Sequence, residues 1–150
     1  MNCVIVCVGT DKISGDSLGP MVGSMLRAAG VPCPVYGVEG ATVNGVNLDR
    51  YREFLASRYA GVPVIAVDAA LGEADEVGQI RYRKGGVCAG GALGRRTEGL
   101  GQLAVLGVVG RRGEDALSAL LEAPLAVVER LAERIAHKLC EVLRLWEQTA

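Results

Sequence analysis

Three uninterrupted apolar runs, Cys3 to Val8 (CVIVCV), Val64 to Val67 (VIAV) and Leu103 to Val109 (LAVLGVV), constrain this chain more than any other feature. A strand with one wet face alternates apolar and polar residues, and these runs contain no polar residue. They belong inside a sheet that is covered on both faces, the situation of parallel strands in an α/β protein.

The segments between the runs read as helices and edge strands. Asp16 or Ser17 can cap a first helix that carries Pro20 in its first turn and runs to about Ala29. Cys33 to Val38 is a short strand in which Pro34 lacks a ladder donor, which puts it at an edge. Asn47 opens a second helix to about Tyr59, ended by Gly61 and Pro63. Val77 to Arg83 (VGQIRYR) alternates Ile80 and Tyr82 with Arg81 and Arg83, so one of its faces meets water. Only about eight residues join it to the strand before, fewer than a parallel crossover needs, so it runs antiparallel and the sheet is mixed. A helical turn near Ala116 to Leu120 precedes a long helix from Pro124 to about Gln148. Its apolar face comprises Leu125, Val128, Leu131, Ile135, Leu139, Val142 and Trp146. Gly85 to Gly101, with seven glycines, reads as a flexible loop.

Composition narrows the function. At 150 residues and 50% hydrophobic, the chain is expected to form one α/β domain over residues 1–150. Lys and Arg number 16 against 17 Asp and Glu, so no basic field is available to collect phosphate backbones, and nucleic acid is not an expected partner. The five cysteines form no C-x-x-C pair and read as small buried hydrophobes in a reducing compartment, the cytoplasm. Cys3 and Cys7, separated by roughly 13 Å of strand, are too far apart to bridge each other. The chain starts directly on its first strand without a basic, apolar leader, and no run is long enough to span a bilayer, so neither secretion nor a membrane is expected.

In open α/β sheets ligands bind beyond the carboxyl ends of the strands, where neighbouring connections leave for opposite sides of the sheet. Here that crevice is expected between the first and third strands, which brings Asp16, after the first, towards Asp68, which closes the third. Two carboxylates about 4 Å apart repel by roughly 4 kcal/mol at an effective dielectric near 20, enough to separate their proton affinities by about three pKa units. Such a pair can activate a water and protonate a leaving amine, or hold a divalent metal that polarises a carbonyl; either route ends in amide hydrolysis. Against this stand plainer readings, Asp16 as a helix cap and Asp68 as a strand-end turn residue. Glu39, just past the second strand, is a secondary candidate, and Arg95 and Arg96 in the glycine-rich loop are candidate substrate contacts.

Other motifs fail. Gly9 to Ser17 (GTDKISGDS) has neither the spacing nor the lysine of a phosphate-binding loop, and GTDKIS lacks the dinucleotide fingerprint, so neither ATP nor NAD is expected. His137 reads as a solvated helix residue. Cys88, in the glycine-rich loop, has no base nearby in sequence.

The segments VGTDKISGDSLGP (Val8 to Pro20) and VIAVDAALG (Val64 to Gly72) resemble the YyaC-type family of sporulation proteins. The likeness continues through VNL (Val46 to Leu48), VGQI (Val77 to Ile80), the glycine-rich loop and LGVVG (Leu106 to Gly110). That family is similar to the spore germination protease and, more distantly, to the hydrogenase maturation endopeptidases. The resemblance implies a phosphorylase/hydrolase-like, three-layer α/β/α fold with a mixed five-stranded sheet in order 2-1-3-5-4 and strand 4 antiparallel. It also implies that Asp16 and Asp68 are the catalytic aspartates. The maturation endopeptidases hold nickel with two acidic residues and a histidine from the later half of the sheet. This chain has no histidine there, so a nickel site of that design is not expected, nor is activation by removal of a propeptide.

The expected activity is that of a cytoplasmic, sporulation-associated peptidase acting on a protein or peptide substrate, with spore proteins as candidates and self-association open. The competing expectation is a noncatalytic binding or scaffold protein that keeps the peptidase fold.

Overall fold

The computed structural model describes residues 2–88 and 99–149. Its strands are β1 (Val4–Cys7), β2 (Val35–Tyr36), β3 (Val64–Gly72), β4 (Ile80–Lys84) and β5 (Leu103–Arg111). Its α-helices are α1 (Leu18–Ala28), α2 (Leu48–Arg58), α3 (Ala116–Glu122) and α4 (Leu125–Thr149). The strands form one sheet in the order β2-β1-β3-β5-β4, parallel except for the antiparallel pair β4 and β5. The mixed sheet and both edge strands are therefore as the sequence implied.

Strand alternation divides the core in two. Ile5, Cys7, Ile65, Val67, Val105 and Val109 face one way and pack with Leu18, Val22 and Leu26 of α1 and Val128, Leu131, Ile135 and Leu139 of α4. Val4, Val6, Val64, Ala66 and Ala104 face the other way, against Leu48 and Leu55 of α2 and against Val87 and Leu100. The result is the expected α/β/α layering.

Several local expectations are corrected. Asn47 precedes α2 but its side chain makes no cap bond; its amide binds the Thr42 carbonyl and its oxygen accepts the Asn44 N–H, both at 2.9 Å. In α4 the buried face ends on Leu143, whereas Leu125 and Trp146 are exposed. A straight helix at 3.6 residues per turn drifts off a fixed three-and-four pattern, and Leu143 keeps to the stripe better than Val142 or Trp146. The glycine-rich segment closes at its base: Val87 and Leu100 exchange two backbone hydrogen bonds and are both buried, forming a neck against the sheet.

α1 approaches β1 more closely than side chains normally allow. A Cβ on Gly19 would lie 2.2 Å from the Val8 carbonyl oxygen, and one on Gly23 would lie 2.0 Å from that of Gly37. Glycine at both positions lets the helix start directly over the end of β1.

Candidate active site

β3 is longer than the run Val64 to Val67 suggested, and Asp68 does not close it. The strand continues to Gly72 because β5 pairs with it past that point, Asp68 lying opposite Leu106. β1 stops earlier: Cys7 pairs with Val67, and the Val8 N–H makes a last bond to the Val67 carbonyl at 2.7 Å. Asp68 is thus the first residue of β3 beyond the end of β1, on a strand still held by β5. It is neither a turn residue nor at liberty to reorient.

Asp16 is brought to the same place by the connection from β1 to α1. It lies in a 3-10 turn, Gly15–Ser17, and Ser17 at the head of α1 makes no side-chain cap bond. The cap reading of Asp16 fails with it. The turn is instead held by its backbone: the Thr10 N–H donates to the Asp16 carbonyl at 3.1 Å, Ser17 Oγ to the Ser14 carbonyl at 2.5 Å, and Ser14 Oγ to the Ala123 carbonyl at 2.7 Å. Gly9 gives room for this fold-back, since a Cβ there would lie 2.1 Å from the Asp16 carbonyl oxygen. These bonds fix the backbone of the turn that carries Asp16.

Asp68 is 9% exposed, one of two buried polar side chains among the described residues, the other being Ser17. Its Oδ1 accepts the Ala69 N–H at 2.8 Å. Burial, followed by the negative charge of Asp16, pushes the Asp68 carboxyl well above the usual range; the Ala69 N–H and the charge of Arg83 oppose this only in part. Asp16, less enclosed, is also raised by burial, and the Thr10 N–H favours its charged form. The two carboxyls therefore sense each other, and their surroundings are unequal.

Arg83 was not among the candidates from sequence. Its signal was the alternation in VGQIRYR, which set Arg81 and Arg83 on one face; the register shows that face to be the Asp68 side of the sheet, not open water alone. Arg81 lies opposite Leu106 and Arg83 opposite Ala104, while Leu106 in turn pairs with Asp68. Arg81 is paired with Glu76, and Arg83 donates to the Gly86 carbonyl at 3.1 Å, at the foot of the Val87–Leu100 neck.

The remaining candidates are dispersed. Glu39 is exposed at a turn tied to the site loop through Asp11, whose Oδ2 accepts the Gly40 N–H at 3.1 Å; the Glu39 N–H itself donates to Ser24 Oγ. Arg95 and Arg96 lie outside the described residues. His137 projects from α4 beside Glu141 at 3.4 Å, on the surface, and Cys88 is half-buried just past the neck. Among the described residues no group of three or more His, Cys, Asp or Glu side chains could hold a metal ion, so Glu39 does not complete such a set with Asp16 and Asp68. Likewise, no helix among them is long and apolar enough to cross a membrane.

Comparison with known proteins agrees with this architecture. Residues 1–138 match the family described as "Protein of unknown function (DUF1256)". The chain is 32% identical over 137 residues to the uncharacterized protein YyaC of Bacillus subtilis (strain 168), an alignment covering 91% of this chain and 67% of that protein. Among solved structures it resembles the [NiFe] hydrogenase maturation protease HycI from Thermococcus kodakarensis KOD1, with a TM-score of 0.57 at 20% identity over 95% of this chain and 93% of that one. It also resembles HybD, a [NiFe] hydrogenase maturation protease from Thermococcus kodakarensis, with a TM-score of 0.52 at 18% identity over 93% and 99%. The chain belongs to the DUF1256 family and has the fold of the hydrogenase maturation proteases.

Proposed function

From membership of the DUF1256 family and this fold, we propose that the protein is a sporulation-associated peptidase that hydrolyses peptide bonds with Asp16 and Asp68. The reading rests on one observation: a buried carboxyl, Asp68, lies just past the end of β1, where such folds bind ligands, and its proton affinity is raised by that burial and then by the charge of Asp16.

The inequality of the pair assigns the roles. Asp16, the less buried and supported by the Thr10 N–H, ionises first and takes a proton from the attacking water. Asp68 keeps its proton to a higher pH and donates it to the amine that leaves. The proton gained by Asp16 and the one lost by Asp68 are exchanged back through solvent when product departs. The charge of Arg83, two strands away on β4, limits how far that proton affinity rises. In this reading the residues at 85–101 form the substrate rim, with Arg95, Arg96 and Glu39 as contacts for an extended peptide, and the whole of 1–150 acts as one cytoplasmic peptidase-like domain.

The test is cleavage of spore-coat and small spore proteins, followed by mass spectrometry, with the wild type, Asp16→Asn and Asp68→Asn. Each substitution is expected to lower the rate at least 100-fold while the protein remains folded. Undiminished cleavage by both variants would remove the aspartates from the mechanism. Binding of a spore protein without turnover by the wild type would favour a scaffold role.

A further inference from the structure

At the opposite end of the sheet from the aspartates, three thiols converge. Cys3 lies just before β1 and Cys33 just before β2, and the parallel register of these strands pairs Ile5 with Val35. Two residues back along both chains, that register sets Cys3 beside Cys33, and the Ile5 N–H still bonds the Pro34 carbonyl at 2.9 Å between them. Both side chains pack on the same face of the sheet, with Cys140 of α4 against the same cluster. Neighbours across a parallel pair are about 4.8 Å apart at Cα, inside the range a disulfide spans.

The second observation is access. Cys3 and Cys33 line one small cleft of about 120 Å³ with Asn2, Pro32, Leu143 and Trp146. Cys3 is at its buried side and Cys33 is half-exposed. Neither is oxidised, and among the described residues they belong to no group able to hold a metal ion.

We infer that Cys3 and Cys33 form a redox-responsive thiol pair that a hydroperoxide entering this cleft closes into a disulfide. The Cys33 S–H hydrogen-bonds to Cys3 and lowers its pKa, which makes Cys3 the sulfur that ionises first, while Cys33 is held protonated. The Cys3 thiolate attacks one peroxide oxygen; the O–O bond breaks, leaving a sulfenic acid on Cys3 and a hydroxide (or alkoxide) that takes up a proton. Cys33 then attacks the Cys3 sulfur and forms the S–S bond. The sulfenic hydroxyl leaves with the Cys33 proton as water. Two electrons pass from the two sulfurs to the peroxide, and one peroxide is consumed per disulfide.

The bond would join β1 to the edge strand β2 directly beneath the point where Asn2 Nδ2 holds the Trp146 carbonyl at 3.2 Å. It would therefore tie the edge strand to β1 without touching the aspartates. This inference does not depend on the peptidase reading.

The experiment is a titration of the reduced protein with hydrogen peroxide, read by thiol counting and by non-reducing tryptic mapping. Free thiols are expected to fall from five to three, with one crosslink between the peptide 1–12 and the peptide 28–50, located on Cys3 and not Cys7 by fragmentation. Cys33→Ser is expected to leave no intramolecular crosslink, whereas Cys88→Ser still forms it. The proposal is overturned if all five thiols persist at a tenfold excess of peroxide. A crosslink of Cys33 to Cys140 instead, or an unchanged loss of two thiols in Cys33→Ser, overturns it equally.

Discussion

Replacing Asp68 by asparagine changes how stability depends on pH, and the sign follows from burial. In the folded chain the Asp68 carboxyl holds its proton well above the ordinary value of 3.8, whereas the unfolded chain releases it near that value. Between those two pH values the native state binds a proton that the unfolded state has lost, so wild-type stability falls as pH rises. For one proton the slope reaches about 1.4 kcal/mol per pH unit, and it vanishes below the unfolded and above the folded pKa. Asparagine keeps the oxygen that accepts the Ala69 N–H but has no proton to lose. The gap between Asp68→Asn and wild type therefore widens in favour of the variant through this window, at up to about 1.4 kcal/mol per unit, or roughly 3–6 °C of Tm for a chain of this size. Urea unfolding at half-unit steps from pH 4 to 8, fitted with a common m-value, measures it. Parallel stability curves for the two proteins would refute the burial of an ionisable pair at this site.

Two further outcomes test how the site is built. Gly19→Ala places a Cβ 2.2 Å from the Val8 carbonyl, forces α1 off β1 and is expected to cost about 1–3 kcal/mol in urea unfolding, whereas Gly113→Ala, with open space around it, changes stability by less than about 0.5 kcal/mol. Arg83→Gln removes the cation that favours ionised Asp68, so the stability-versus-pH window described above extends to higher pH while its low-pH edge stays in place; an unchanged window would show that Arg83 does not act on Asp68.

The mixed sheet could be read from residues because its signals are local: uninterrupted apolar runs, Pro34 before an edge strand, and a connection too short for a crossover. The site was legible only in outline. Asp68 looked like a strand end because it interrupts the apolar run Val64 to Val67, and nothing local says that β5 keeps β3 paired to Gly72. Asp16 and Asn47 each had the composition of a cap. Thr10 instead donates its N–H to the Asp16 carbonyl, and the Asn47 side chain is tied to Thr42 and Asn44, so neither residue caps its helix. Arg83 acquires a role only through register, two strands away from the carboxyl it influences. Each of these is a tertiary decision that propensity cannot encode.

The pairing of the two carboxyls is tested most directly by carbon-13 NMR titration of the aspartate Cγ signals in wild type and in Asp16→Asn. The account predicts that Asp68 is still protonated well above the ordinary carboxyl value of 3.8, and that Asp16→Asn moves its titration to lower pH because a neighbouring negative charge is gone. Titration of Asp68 near the ordinary value of 3.8, or a midpoint that Asp16→Asn leaves unmoved, would contradict it.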